Sequence, residues 1–282
     1  MKTVLELQSI AKQVRRDIVR MTNAISSGHP GGSLGCTEFM TALYFNTMTA
    51  DPRNFTMEGK GEDLFFMSNG HITPVLYSVM ARRGYFPVKE LSTFRFLGTR
   101  LQGHPSTAHN LPGIRMASGS LGQGLSVGIG AAVAKKMAGE KELVFTLHGD
   151  GELQEGQIWE AVMFAGSKHV DNIIATIDYN GQQIDGTTDA VMSLGNLQAK
   201  FEAFGWEVLT IANGNDMQQV VDGQAKARSL TGKGKPVCVI MKTEMGYGVD
   251  FMQGTNKYHG VPPSNEELEK ALAQLEETLG DY

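Results

Sequence analysis

Two strand-like segments, each followed at once by a polar loop that contains glycine, constrain the fold of this chain more than any other feature. The first spans residues 142–147 and leads into a Gly-Asp-Gly turn that carries Asp150, and the second spans residues 172–177 and leads to Asn180. Both segments are apolar and rich in β-branched residues, so we predict two buried strands. Asp150 and Asn180 are then expected at the carboxyl ends of parallel strands, where open α/β sheets bind ligands.

The residue types at these two strand ends predict a magnesium–diphosphate site. Mg²⁺ prefers oxygen ligands and usually takes one or two carboxylates, with phosphate oxygens completing the octahedron. Asp150 offers a carboxylate, Asn180 an amide oxygen and Gln182 a backbone carbonyl. Gly151 lets the backbone approach a phosphate without a Cβ in the way, and a helix beginning near Glu155 would point its amino terminus at the same anion. An ordinary turn would explain the Gly-Asp-Gly element if it stood alone. The second strand end, which carries Asn180 at this spacing, favours the magnesium–diphosphate site.

The rest of the chain predicts an α/β fold with a mostly parallel sheet and helices on both faces, because strand-like and helix-like segments alternate. A length of 282 residues fits one large domain, 1–282. An amphipathic helix is predicted over residues 3–26 and a capping-box helix over residues 264–279. The small apolar residues 125–135 predict a helix that is buried on all sides.

Composition excludes several classes of protein. The net charge is −5 and no basic stripe occurs, which argues against binding to nucleic acid. Cys36 and Cys238 are the only cysteines and have no metal-ligand spacing, so a reduced, cytoplasmic setting is expected. No segment approaches the roughly 20 apolar residues that span a bilayer, and charges occur too early for a signal peptide.

Four of the seven histidines stand next to glycine in predicted loops. They are His29, His71, His104 and His259. Histidine transfers protons near neutral pH and hydrogen-bonds hydroxyls and phosphates. Any one of them alone is most simply an ordinary loop histidine, whereas four beside predicted metal ligands favour a functional cluster. Their spacing excludes a short zinc motif.

The order of these motifs resembles the amino-terminal, diphosphate-binding portion of the transketolases, from about residue 10 to about residue 265. The motifs are Ser27-Gly-His-Pro-Gly-Gly32, Ser68-Asn-Gly-His71, Gly103-His-Pro105, Gly119-Ser-Leu-Gly-Gln-Gly124, Gly149-Asp-Gly151 with Asn180, and Tyr258-His-Gly260. One departure is Ile72-Thr-Pro74, where small polar residues are usual in the family.

The resemblance implies a thiamine-diphosphate-binding fold and a role for each matching residue. The metal ligands, for Mg²⁺ or alternatively Ca²⁺ or Mn²⁺, are Asp150, Asn180 and the Gln182 carbonyl. The residues that line thiamine diphosphate are His71, Gly119, Ser120, Leu121, Gly151, Glu155 and Asn180. The catalytic residues that face the ketose are His29, His104 and His259. No role is implied for His109, His148 and His169.

The resemblance also implies a partner, because transketolases continue into a pyrimidine-binding domain that supplies a catalytic glutamate. We therefore expect the amino-terminal subunit of a split transketolase, in an α2β2 assembly. Its expected reaction moves a two-carbon ketol unit from a ketose phosphate to an aldose phosphate, within carbohydrate metabolism of the pentose phosphate kind.

Three alternatives stay open at this point. The chain resembles, less closely, halves of other thiamine-diphosphate enzymes, such as deoxyxylulose-phosphate synthase or the α chain of a 2-oxo-acid dehydrogenase. A non-catalytic assembly partner would keep the same fold. A nicotinamide site is disfavoured, because no Gly-x-Gly-x-x-Gly turn links a strand to a helix.

Overall fold

Seven strands, five of them in one sheet, organise the protein, which a computed structural model describes over residues 1–282. The strands are β1 Leu64–Met67, β2 Val144–Gly149, β3 Ile173–Tyr179, β4 Gln182–Gln183, β5 Gly186–Thr187, β6 Glu207–Ile211 and β7 Val237–Lys242. The main sheet has the order β1-β2-β3-β7-β6 and all its strand pairs are parallel. β4 and β5 form a separate antiparallel pair.

Ten α-helices surround the sheet. They are α1 Val4–Ala24, α2 Pro30–Gly35, α3 Thr37–Ala42, α4 Thr73–Arg83, α5 Gly124–Met137, α6 Gly156–Ser167, α7 Thr188–Met192, α8 Leu197–Ala203, α9 Met217–Leu230 and α10 Asn265–Gln274. A π-helical turn continues α3. No helix is both long enough and apolar enough to cross a membrane.

The sheet is covered on both faces, as predicted, because successive side chains of its strands point in opposite directions. Phe145 and Leu147 of β2 lie in the core formed with α1, α3, α4 and α9. Val144 of the same strand lies in the second core, which α5, α6 and α8 complete. The predicted fold class is confirmed.

Buried ion pairs fix α1 against its neighbours. Asp17 accepts two hydrogen bonds from the Arg82 guanidinium, at 2.5 and 2.8 Å, which joins α1 to α4. Arg15 pairs with Glu38, at 2.5 Å, which joins α1 to α3. The helix begins with a capping box at Thr3, as its predicted bounds require.

The last helix is shorter than the predicted 264–279, because it ends at Gln274. Polar contacts with α1 explain the early end. The side-chain oxygen of buried Gln13 accepts hydrogen bonds from the backbone N–H groups of Thr278 and Leu279, both at 2.9 Å. These bonds hold the tail against α1 in a non-helical conformation.

The prediction that α5 is buried on all sides is wrong. One face packs on the sheet through Gly128, whereas Val127 and Met137 on the other face are 42% and 84% exposed. No other element of this chain covers that side of the helix. On the neighbouring α6, Met163 and Phe164 are 55% and 48% exposed.

Candidate active site at the carboxyl edge of the sheet

The carboxyl ends of β2 and β3 bring Asp150 and Asn180 together. The two strands pair in parallel, with Gly149 opposite Asp178, so the residue after each strand reaches the same edge. The backbone N–H of Gly181 donates to a carboxylate oxygen of Asp150 at 2.6 Å. The contact that the sequence predicts between the two loops is therefore present.

Backbone donors orient the oxygens of the predicted metal ligands. The second carboxylate oxygen of Asp150 accepts from the N–H of Gly151 at 2.8 Å. The amide oxygen of Asn180 accepts from the N–H of Gln182 at 2.9 Å, while its NH₂ group donates to Asp178 at 3.0 Å. Each oxygen keeps a lone pair for a further partner.

These loops border a cavity of about 390 Å³, which is within the size range of ligand pockets. Four carboxyl groups line it: Asp150, Glu152, Glu155 and Asp178. No lysine or arginine lines it. Burial, and then the neighbouring Asp178 carboxylate, raise the pKa of Asp150 to about 7, and burial also raises the pKa of Asp178.

The charge of this cavity fits a diphosphate only together with a cation. A diphosphate would face carboxylates and no basic side chain, so a divalent ion has to neutralise both. The chain contains no group of three His, Cys, Asp or Glu side chains that could hold a metal ion. The protein can therefore supply only part of a coordination shell, namely the carboxylate of Asp150, the amide oxygen of Asn180 and the backbone carbonyl of Gln182. This set suits an ion whose remaining ligands come from the phosphates.

The four glycine-flanked histidines form one cluster, although they are spread over 231 positions of the sequence, from 29 to 259. The ring centroid of His29 lies 5.0 Å from that of His71, 5.6 Å from that of His259 and 6.3 Å from that of His104. His71 and His259 stack at 5.1 Å. His29, His71 and His259 line the same cavity as Asp150.

Partial desolvation favours the neutral form of these imidazoles. Desolvation, followed by the nearby His259, Arg95 and His104, lowers the pKa of His29 to about 4. Desolvation likewise lowers the pKa of His71, His104 and His259. Neutral rings both accept and donate hydrogen bonds, as proton transfer to a substrate requires.

Most of the other predicted cofactor residues also line the cavity. They are Gly119, Leu121, Gly151, Glu155, Gln182 and Asn180. Ser120 does not line it, and its hydroxyl accepts instead from the side chain of Gln123 at 3.0 Å. The His104 ring lies against Gly119. A Cβ on residue 119 would stand 2.5 Å from that ring, and the backbone of residue 119 has a positive φ of 119°, so only glycine fits there.

Sequence reasoning missed three buried polar residues that line the cavity: Asn69, Glu152 and Asp178. Each is at most 2% exposed. The side-chain oxygen of Asn69 is buried and has no hydrogen-bond partner in the chain, which suits a ligand donor. The position of Asn69 just after β1 is the signal that could have identified it.

The fold and the site define an α/β protein with a carboxylate-lined cavity at the carboxyl edge of a parallel sheet, which suits a metal-bound diphosphate. The family described as "Transketolase, thiamine diphosphate binding domain" matches residues 7–278. The chain belongs to this family, and the predicted amino-terminal transketolase subunit is confirmed.

Similar proteins of the same length are themselves subunits by name. The chain is 38% identical to the 6-deoxy-6-sulfo-D-fructose transketolase subunit SqwG of Clostridium sp. (strain MSTE9), over 96% of this chain and 97% of that protein. It is 37% identical to an apulose-4-phosphate transketolase subunit of Actinobacillus succinogenes, over 96% of each.

Solved transketolases are longer than this chain. The chain superposes on the transketolase of Campylobacter jejuni with a TM-score of 0.88 and 31% identity, covering 98% of this chain and 43% of that one. It superposes on the transketolase of Leishmania mexicana with a TM-score of 0.87 and 28% identity, covering 98% of this chain and 41% of that one. The chain thus spans about two fifths of these structures.

Proposed function

We propose that this protein, together with a companion chain, transfers a two-carbon ketol unit from a ketose phosphate to an aldose phosphate. The observation that carries the proposal is the single cavity in which Asp150 and Asn180 meet the histidine cluster. One end of the cavity suits a metal-bound diphosphate, and the other suits the hydroxyl and carbonyl oxygens of a sugar.

The cofactor end would hold thiamine diphosphate through a divalent cation, with Mg²⁺ the proposed ion. Asp150, Asn180 and the Gln182 carbonyl would be its protein ligands. The buried oxygen of Asn69 and the rings that line the cavity would orient the bound group. Bound thiamine diphosphate supplies the carbanion chemistry that the side chains of this protein lack.

The sugar end would depend on His29, His104 and His259. Neutral imidazoles hold a donor or an acceptor toward the carbonyl and hydroxyl oxygens of the ketose, and they move protons as those oxygens change charge. His71 stacks on His259 and so helps to fix that ring. Three of the four rings, those of His29, His71 and His259, line the cavity itself.

The identity of the sugars is best constrained by the relatives. Two of them are named for a sulfosugar and for a sugar phosphate. Both groups are anionic, and the cavity contains no basic side chain to bind either. The companion chain would therefore supply the anion-binding residues, and the sugar is proposed to belong to a specialised pathway rather than to the pentose phosphate pathway by default.

A companion chain is supported by the surface as well as by the relatives. The exposed apolar face of α5 and α6 lies next to the cofactor end, since α6 begins directly after Glu155. Val127, Met137, Met163 and Phe164 are exposed there. Patches of this kind mark protein interfaces. We propose an α2β2 assembly in the cytoplasm, where the two buried thiols would stay reduced.

The test is a ketol-transfer assay on this chain alone, on the companion chain alone and on the two together. The companion is to be chosen as the product of a neighbouring reading frame, if that frame encodes a pyrimidine-binding domain. Activity is expected only from the mixture, and it should require thiamine diphosphate and be lost in the presence of a chelator. Full activity of the lone chain would contradict the two-chain proposal, and an inactive mixture that binds the cofactor would favour a non-catalytic role.

A further inference from the structure

Glu152 joins three loops of the cavity through one buried carboxylate, which is only 2% exposed. One of its oxygens accepts a hydrogen bond from the Ser68 hydroxyl and another from the N–H of Gly122 at 2.8 Å. The other oxygen accepts from the N–H of Gly149 at 3.1 Å. The three donors lie at the end of β1, in the loop before α5 and at the end of β2.

Each of these loops contributes lining to the cavity. Asn69 follows Ser68, Leu121 precedes Gly122, and Asp150 follows Gly149. The Ser68 hydroxyl also accepts from the N–H of Gly124 at 3.0 Å, so the network continues into the first turn of α5. A change at Glu152 would therefore reach all three loops at once.

The partners of Glu152 differ from those of the other buried carboxylates that stabilise the fold. Each of those carboxylates pairs with an arginine: Asp17 with Arg82 at 2.5 Å, Glu38 with Arg15 at 2.5 Å, and Asp63 with Arg228 at 2.8 Å. Glu152 has no lysine or arginine partner, and the nearest ring nitrogen of His148 is 3.7 Å away. Neutral donors from the cavity loops satisfy it instead. A buried carboxylate of this kind fixes geometry rather than adding a strong ion pair.

We propose that Glu152 is a positioning residue that holds these three cavity loops in their diphosphate-binding geometry before the cofactor binds. The inference rests on the proposed function, since it takes the cavity to bind thiamine diphosphate. Because the three loops are ordered in advance, binding does not bear the entropic cost of ordering them. Glu152 itself is not required to touch the cofactor.

Glu152→Gln is the test variant. The amide oxygen can still accept from Ser68 and Gly122, but the amide NH₂ then faces the N–H of Gly149, so one buried donor loses its acceptor. Asp63→Asn is the matched control. Asp63 is 1% exposed and accepts from the N–H groups of Thr49 and Leu143, but it lies at the opposite end of β1 from the cavity.

Two measurements distinguish positioning from general stability. Hydrogen exchange of the full chain without cofactor should become faster in residues 119–124 and 147–151 in Glu152→Gln, and not in Asp63→Asn. In the assembled enzyme, the apparent KM for thiamine diphosphate should rise about tenfold in Glu152→Gln, while kcat at saturating cofactor stays within about twofold. Asp63→Asn should lower the melting temperature and leave that KM unchanged.

Ser68→Ala provides a second variant should Glu152→Gln fail to fold. It removes one donor to Glu152 and is expected to change exchange and KM in the same direction, by less. Unchanged exchange at the cavity loops, or equal KM values in wild type and variant, would overturn the inference and leave the proposed function intact. A wild-type assembly that binds no thiamine diphosphate would overturn the proposed function and, with it, the cofactor part of this inference.

Discussion

At the scale of single residues, burial decides which form of each titratable group the site contains. His29 is surrounded by three other imidazoles and by Arg95, and none of these groups favours a positive charge on its ring. The cluster therefore consists of neutral hydrogen-bonding groups. Such groups suit a sugar whose oxygens exchange protons, whereas permanent cations would suit a phosphate.

His29 gives the pH prediction. Its folded-state pKa of about 4 is below the ordinary value of 6.5, so the unfolded chain binds more protons between these two pH values. The contribution of His29 to stability is complete above pH 6.5 and is lost as the pH falls toward 4. NMR of the His29 ring should show a midpoint near pH 4, and His29→Gln should flatten the decline of unfolding free energy over this window. A midpoint at or above 6.5 would contradict the neutral, partly desolvated cluster.

At the scale of elements, α5 shows two kinds of glycine on one helix. A Cβ at Gly128 would stand 2.5 Å from the Thr146 methyl group of β2, so this glycine allows the helix to approach the sheet. A Cβ at Gly130 would meet nothing within 4 Å, because Gly130 lies on the exposed face. Spacing alone does not separate the two, since both are surrounded by small apolar residues.

The pair Gly128→Ala and Gly130→Ala tests this packing. Gly128→Ala is expected to lower the unfolding free energy of the lone chain by about 1–3 kcal/mol through overpacking. Gly130→Ala is expected to raise it by up to about 1 kcal/mol, because alanine favours the helix. Urea denaturation of the two variants beside wild type measures both. Equal effects of the two substitutions would mean that α5 does not pack on β2 as described.

Elements with a strong local pattern could be predicted from the sequence, and those that depend on distant contacts could not. The helical spacing of apolar residues and the cap at Thr3 are sufficient to predict α1 nearly to its ends. The end of α10 depends on contacts between Gln13 and a tail 265 positions away. Whether the outer face of α5 is covered depends on the elements around the helix. A run of small apolar residues has the same composition in a helix that is covered on all sides and in one with an exposed face.

At the scale of the whole molecule, the candidate site is a product of topology. The strand-end rule and the motifs were sufficient to predict that Asp150 lies beside the Asn180 loop and that the four histidines gather near them. Asn69, Glu152 and Asp178 were missed because their roles depend on loops that lie far apart in sequence and close together in the fold. The position of a polar residue beside a strand, as for Asn69 after β1, shows which edge of the sheet it occupies but not which distant loops it contacts.

The molecule as a whole also explains why a cation is needed. The net charge is −5, and the cavity concentrates carboxylates without any lysine or arginine. A diphosphate would be repelled from this edge of the sheet unless a divalent ion arrived with it. The same edge lies beside the exposed faces of α5 and α6, where the companion chain is proposed to bind.

Calorimetric titration of thiamine diphosphate into the assembled enzyme tests the central claim most directly. The titration is run with Mg²⁺ and with a chelator, on wild type, on Asp150→Asn and on Asp185→Asn as an exposed control nearby. Saturable binding is expected for wild type and Asp185→Asn with Mg²⁺, and for no protein with the chelator. Asp150→Asn should show none over the range in which wild type saturates. The metal-bridged diphosphate site would be contradicted if Asp150→Asn bound thiamine diphosphate as tightly as wild type, or if the chelator left the binding to wild type unchanged.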